Sequence, residues 1–89
     1  MEIPEEVVDD LRKRLRRIEG QVRGVEAMLA DGRECRDVVT QLSAAGKALE
    51  QVGFRLVASG LVYCLQHPAE AEASGYDLDE VQRLFTKLG

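Results

Sequence analysis

The chain has 89 residues, and its 16 acidic residues against 12 Lys and Arg give it a formal net charge of −4. This length fits one domain with a small core, so self-association would supply burial that a short chain lacks. The acidic N-terminus predicts no secretory signal, and no apolar run approaches the length of a membrane span. We therefore expect a cytoplasmic protein without a membrane partner, whose two cysteines are reactive or metal-binding rather than joined in a structural disulfide.

The first predicted helix covers about residues 4–30. Pro4 suits the first turn of a helix, and Gly32 suits the position just past a helix end. Between them every third or fourth residue is apolar, which is the spacing of a stripe that packs against another helix. This stripe consists of Val8, Leu11, Leu15, Ile18, Val22, Val25 and Leu29.

A basic segment lies within this helix. Six of the twelve Lys and Arg residues fall in residues 12–23, where Glu19 is the only acid, so the segment carries a charge of +5. Such a local basic stripe is the electrostatic footprint of DNA binding. A solvated helix face is the alternative, and composition alone leaves both open. The basic residues are Arg12, Lys13, Arg14, Arg16, Arg17 and Arg23.

The second predicted helix covers about residues 35–65 and ends before Pro68, because the residue preceding a proline resists helical geometry. Its apolar or small residues again recur every three or four positions. They are Val39, Leu42, Gly46, Leu49, Gly53, Leu56, Gly60 and Tyr63.

A third, short helix is predicted over about residues 77–88, with Asp77 as its N-terminal cap. The segment 69–75 is expected to be a connector rich in small and acidic residues. The sequence thus predicts an all-α fold with three helices, as a single domain over residues 1–89. Two long apolar stripes cannot both be buried in so small a monomer, so we expect an antiparallel helical dimer or a larger oligomer.

The positions of the two cysteines predict how the second helices pair in this assembly. Cys35 and Cys64 are 29 residues apart on one helix, which places them roughly 43 Å apart in one chain. A disulfide requires Cα atoms within about 7 Å, so the two thiols can meet only across a dimer whose second helices run antiparallel. In that pairing Gly46 faces Gly53 of the partner, and the absence of side chains permits close packing of the backbones.

The thiols also suggest a chemistry. Cys35 lies in the first turn of its helix, where the helix dipole favours the reactive thiolate, and Cys64 suits a second, resolving thiol. Burial as two small apolar residues is the alternative. Two thiolates also suit Cu(I), with His67 as an optional third ligand. No metal is expected otherwise, no cofactor is required, and no catalytic residues are found, so the chain is not predicted to be an enzyme.

Two motifs resemble the CsoR/RcnR-like family of transcriptional repressors. They are LRRIEGQVRG over residues 15–24 and ECRDVVTQLSA over residues 34–44, in the family's order and separation. The resemblance covers about residues 11–65. It implies all-helical dimers that pair into flat tetramers, bind operator double-stranded DNA without a helix-turn-helix, and release it when an inducer reaches cysteine sites between subunits.

The same resemblance bears on the inducer. Copper sensors of this family use a Cys-His-Cys set, whose cysteines match Cys35 and Cys64 but whose histidine position holds Gly60. The persulfide-sensing, CstR-like branch keeps both cysteines and lacks that histidine. The resemblance therefore implies a repressor that senses reactive sulfur through Cys35 and Cys64.

For DNA, the resemblance assigns the contacts to basic residues of the first helix. Lys47 would supply a further basic residue on the second helix. Such contacts would go mainly to phosphate, so binding should depend steeply on salt. The DNA-binding residues are predicted to be Arg12, Lys13, Arg14, Arg16, Arg17 and Lys47.

Three hypotheses follow from the sequence. The first is a cytoplasmic DNA-binding repressor that senses persulfide through Cys35 and Cys64 and forms a dimer or tetramer. The second is a Cu(I)-sensing repressor that uses the same thiolates, with His67 as the optional addition. The third is a helical interaction module that does not bind DNA.

Overall fold

The structure is a computed structural model that describes residues 3–88. Those residues form four helices and no strand, so the all-α prediction is confirmed. The two predicted long helices begin and end within one residue of their expected bounds, and the predicted third helix is the last one observed. The helices are α1 (Glu5–Ala30), α2 (Cys35–Gln66), α3 (Pro68–Ala73) and α4 (Leu78–Leu88).

The short helix α3 occupies the segment that the sequence analysis expects to be a connector. Pro68 both ends α2 and begins α3. The backbone N–H groups in the first turn of a helix have no partner within that helix, so a proline, which lacks an N–H, loses no hydrogen bond there. Helix α3 ends at Ala73, and Gly75, two residues later, has a φ of 82° in the left-handed region. The N–H of Tyr76 then donates to the carbonyl of Ala71 at 2.8 Å, as in a Schellman motif. A fourth helix therefore belongs to the fold.

The chain divides into two compact units. One consists of Asp10–Val52, and the other combines the residues up to Asp9 with those from Gly53 onward. Because α1 and α2 each contribute to both units, this division does not test the predicted single domain over residues 1–89.

The unit Asp10–Val52 is a hairpin of two helical segments. Gly32, with a φ of 69°, ends α1, and the N–H of Arg33 donates to the carbonyl of Met28 at 3.0 Å. The backbone N–H of Arg36 donates to the Glu34 carboxylate at 3.2 Å, which caps the start of α2. The buried side chains recur every seven residues on each segment, as in packed helix pairs. They are Leu11, Ile18 and Val25 on α1 and Val38, Ala45 and Val52 on α2.

This hairpin buries only alternate residues of the stripe predicted on α1, and Leu29 is 65% exposed. On α2 the prediction of the buried side is wrong: every stripe residue within the hairpin is exposed, with Leu42 at 57%. This is because α2 turns the neighbouring positions Val38, Ala45 and Val52 toward α1. Exposed apolar stripes of this extent mark an interaction surface. We call this set the apolar face of the hairpin; it consists of Leu15, Val22, Leu29, Val39, Leu42 and Leu49.

The second unit packs α3 and α4 against the C-terminal part of α2. Its buried core consists of Cys64, Ala71 and Val81. Phe54 and Phe85 meet edge to face, with ring centroids 6.0 Å apart, which is a favourable aromatic geometry. At the start of α4 the backbone N–H of Glu80 donates to the Asp77 carboxylate at 2.9 Å, so Asp77 caps this helix as the sequence predicts.

Gly53 has a contact that the sequence analysis did not foresee. A Cβ atom placed on Gly53 would lie 2.7 Å from Cδ2 of Leu88, so the glycine permits α4 of the same chain to approach α2. Gly46 has open space around it in the protomer. The expected use of Gly46 in a dimer contact stays a prediction, whereas Gly53 already serves the fold of one chain.

Among residues 3–88, α2 has the length and composition of a membrane-spanning helix, with a mean hydropathy of 1.2 in its most apolar window. This differs from the expectation that no apolar run approaches that length. A single such helix is weak evidence of membrane insertion, because a helix with a large apolar packing surface passes the same test.

Candidate thiol site and nucleic-acid interface

Cys35 is the first residue of α2, and its thiol is free and exposed. It follows the cap formed by Glu34. On the same turn Arg33 pairs with Asp37 at 3.7 Å, so part of the local positive charge is already neutralised by a neighbouring carboxylate. The structure therefore places an accessible thiol at a helix N-terminus, in the position that the sequence predicts.

Cys64 lies in a different environment. It is 5% exposed, and its Sγ donates a hydrogen bond to the backbone carbonyl of Tyr76 at 2.7 Å. Ala71 and Val81 complete its core cluster. Sequence reasoning selected Cys64 but missed Tyr76, because a backbone acceptor twelve residues away leaves no signal in residue type or spacing.

The lone histidine does not complete a metal-binding cluster in this chain. His67 is exposed, and its ring lies against that of Tyr63, with centroids 5.3 Å apart. Within residues 3–88 no group of three or more His, Cys, Asp or Glu residues is arranged to hold a metal ion. A metal site built from a single chain is thus not preformed in the described part of the protein.

Gly60 is buried one turn before Cys64. It borders a largely apolar cavity of about 330 Å³, whose lining also includes Val57, Tyr76 and Val81. The position at which the resemblance implies a histidine in copper sensors therefore lines the same cavity as Tyr76, whose carbonyl accepts the Cys64 hydrogen bond. A metal ligand is lacking there, since glycine has no side chain.

The predicted DNA-binding residues are all exposed. Arg12 and Arg16 are four residues apart, as are Lys13 and Arg17, so each pair shares a side of α1. Within the described residues these four side chains form no ion pair. Their cationic groups are therefore available to an anionic partner.

The remaining basic residues differ in their surroundings. Arg14 donates a hydrogen bond to Asp10 at 3.1 Å, and Arg23 pairs with Glu19 at 4.0 Å. Lys47 is exposed on α2. Because both ion pairs are exposed and one turn long, they are weak, and a phosphate could compete for either arginine.

The chain matches the family model described as metal-sensitive transcriptional repressor over residues 8–87. It belongs to this family. Members of the family are repressors, which confirms the prediction that the chain is not an enzyme. The resemblance to CsoR/RcnR-like repressors that the two motifs suggest is likewise confirmed at the level of the family.

Two relatives and one solved structure resemble the chain. It is 41% identical over 69 residues to the copper-sensing transcriptional repressor RicR of Mycobacterium tuberculosis, covering 78% of this chain and 72% of that protein. It is 34% identical over 80 residues to the copper-sensing transcriptional repressor CsoR of Bacillus subtilis, covering 90% of this chain and 79% of that protein. The crystal structure of the copper-sensing repressor CsoR with Cu(I) from Geobacillus thermodenitrificans matches with a TM-score of 0.76 and 36% identity, over 99% of this chain and 88% of that one.

Proposed function

We propose that this repressor binds operator DNA through the basic side of α1 and releases it when Cu(I) binds the thiolates of Cys35 and of Cys64 in a partner subunit. The observation that carries this proposal is the pair of free cysteines on one helix in a chain similar to two copper-sensing repressors. The two copper-sensing relatives favour Cu(I) over persulfide as the inducer. The repressor would act in the cytoplasm, with no membrane partner.

The two cysteine thiolates that would bind the metal favour a soft monovalent ion. Thiolates are the ligands that select Cu(I) over harder ions, and no group of four spaced ligands that would suit structural zinc is present among residues 3–88. Cys35 and Cys64 would hold the ion without a histidine at position 60. His67 is retained as the optional third ligand.

The uncovered surface of the hairpin supports the subunit pairing that this site requires. The apolar face defined above runs along both α1 and α2 of the unit Asp10–Val52. A second copy of the chain is the occupant that would cover it by packing helix on helix. We propose a dimer or tetramer as the DNA-binding form.

The DNA contacts are proposed for the exposed basic residues. Most would go to phosphate groups, which set affinity and make it dependent on salt. Base recognition would come from other contacts of the assembled repressor. The contacting residues are Arg12, Lys13, Arg14, Arg16, Arg17 and Lys47.

The test is a DNA-release assay under anaerobic conditions. Fluorescence anisotropy of a labelled duplex bound to the reduced protein should fall when Cu(I) is supplied through a competing chelator. The Cys35→Ser variant should bind the duplex as wild type and keep it bound in Cu(I). The His67→Ala variant tests the optional ligand: unchanged release would remove His67 from the site and leave the two thiolates.

A second candidate inducer is favoured by one specific observation, the glycine at position 60. In the sulfur-sensing alternative, the Cys35 thiolate takes the terminal sulfur of an organic persulfide and the thiolate of the donor leaves. Cys64 of the partner subunit then attacks the new persulfide and displaces hydrosulfide, which leaves a disulfide bridge between chains. Intact-protein mass spectrometry separates the candidates, because a persulfide donor would yield covalently linked dimers whereas copper would be retained without cross-linking.

A further inference from the structure

The thiol hydrogen of Cys64 joins α2 to the turn between α3 and α4. We propose that this hydrogen bond is a latch. While Cys64 keeps its proton, the turn at Tyr76 stays docked on α2, and replacement of that proton by a metal ion or a second sulfur atom releases the turn. The inference rests on the proposed function in taking Cys64 as an inducer-binding thiol.

The presence of the thiol proton on Cys64 decides whether its sulfur and the carbonyl oxygen of Tyr76 attract or repel each other. The Sγ of Cys64 is 2.7 Å from the carbonyl oxygen of Tyr76, and only the S–H can donate because a carbonyl has no hydrogen. When a metal ion binds, the thiol proton is lost to solvent. The sulfur would then turn lone pairs toward an oxygen that also carries lone pairs. At this distance the contact would be repulsive, which favours separation of the Tyr76 peptide from the sulfur of Cys64.

The turn is built to pass this movement to both neighbouring helices. The N–H of Tyr76 donates to the carbonyl of Ala71 in the last turn of α3. Asp77, the next residue, caps the first turn of α4. Tyr76 is thus bonded through its carbonyl to Cys64 and through its N–H to the end of α3, and the residue after it caps α4.

Space for the movement exists beside the turn. The lining of the cavity of about 330 Å³ includes Tyr76, Val81 and Gly60. The turn therefore borders open space into which the Tyr76 peptide can shift.

Two substitutions of Cys64 isolate the hydrogen bond. Cys64→Ser keeps a donor of similar size, whereas Cys64→Ala removes the donor. Exchange of the Tyr76 amide hydrogen, measured by NMR, should accelerate about twofold to tenfold in the alanine variant and stay near the wild-type rate in the serine variant. Equal rates in all three proteins, or equal acceleration in both variants, would overturn the latch. Cys35→Ala is the matched control and should leave the rate unchanged.

The turn also offers a test through its backbone. Gly75→Ala strains the left-handed position that holds the Tyr76 peptide, which should expose Cys64 and raise its alkylation rate by N-ethylmaleimide about 5- to 30-fold. Gly32→Ala introduces the same strain at the end of α1 and should leave the Cys64 rate unchanged. An unchanged rate in the Gly75 variant would contradict the docking role of the turn.

A final arm separates the latch from copper sensing. In the Cys35→Ser protein, methyl methanethiosulfonate transfers its methylthio group to the Cys64 thiolate and methanesulfinate leaves. Faster Tyr76 exchange after this reaction supports the latch even if Cu(I) fails to release DNA from the wild-type protein. Copper-dependent DNA release with no change in Tyr76 exchange would leave the proposed function standing and overturn the latch.

Discussion

Leu88 occupies the space that a side chain on Gly53 would need, with its Cδ2 2.7 Å from the position of a Cβ atom there. A Cβ atom placed on Gly46, two helical turns earlier, would meet no atom within 4 Å apart from the adjacent residues and backbone of its own helix. These two glycines of α2 therefore serve different contacts. Gly53 permits packing within one chain, and Gly46 is free to face a partner.

The two glycines should respond differently to the same substitution. Gly46→Leu should weaken self-association and leave the helical content of the protomer intact, because its Cβ meets open space. Gly53→Leu should displace Leu88 and speed amide exchange in the last turn of α4. Sedimentation velocity and hydrogen exchange check the two effects. If Gly46→Leu associates as wild type, close packing of the backbones at this position is refuted.

A charge placed on the apolar face should dissociate the repressor. Leu42 is 57% exposed in the protomer, so Leu42→Glu costs little in a single chain but would bury a carboxylate in the assembly, where an unpaired charge is costly. We expect loss of the dimer or tetramer by sedimentation velocity. Ala44→Glu, on an exposed position about half a turn away, is the control and should associate normally.

Removing basic residues of α1 should reduce the salt dependence of DNA binding. Each phosphate contact removed lowers the slope of log K against log salt by about 1, so Arg16→Ala with Arg17→Ala should lower it by about 2. A mixed-sequence duplex is sufficient, because this electrostatic contribution does not depend on sequence. Arg83→Ala removes an exposed arginine of α4 and should leave the slope unchanged. No loss of affinity in the double variant would favour a helical interaction module that does not bind DNA.

Lys47 should contribute less than the α1 arginines. It is a single exposed ammonium on α2, so Lys47→Ala should lower the same slope by about 1 or less. Glu50→Gln, about one turn further along α2, changes the net charge by one unit in the opposite direction and tests whether the effect is local. A slope equal to that of wild type would remove Lys47 from the DNA interface.

Helix boundaries were predictable from capping residues, and tertiary contacts were not. Gly32 and Asp77 carry their signals in residue type, since a left-handed C-terminal position favours glycine and a helix start favours aspartate. Pro68 predicts the end of α2. A proline is equally suited to the first turn of a helix, and the structure shows that Pro68 also begins α3. Periodicity predicts the stripe on α1, of which one chain buries alternate residues, but on α2 the hairpin buries Val38, Ala45 and Val52, which lie outside the predicted stripe.

In the candidate site, too, local features were predictable from the sequence and tertiary contacts were not. The two cysteines were identified by spacing alone, and the position of Cys35 at a helix start followed from the local sequence. The burial of Cys64 depends on the backbone of Tyr76, and the role of Gly53 depends on Leu88. The first contact joins residues twelve positions apart, and the second joins α2 to α4. One depends on a backbone carbonyl and the other on the absence of a side chain, and neither can be predicted from residue type.

The most direct test of the central claim is Cu(I) binding by mixed oligomers of Cys35→Ser and Cys64→Ser. Each variant alone lacks one thiolate from every site. A mixed dimer recovers one complete site, because Cys35 of one chain meets Cys64 of the other. Tight copper retention against a competing chelator that appears only on mixing, at about half the wild-type stoichiometry in the mixed dimers, is the predicted result. Retention by either variant alone, or none after subunit exchange has been verified, would contradict a copper site shared between subunits.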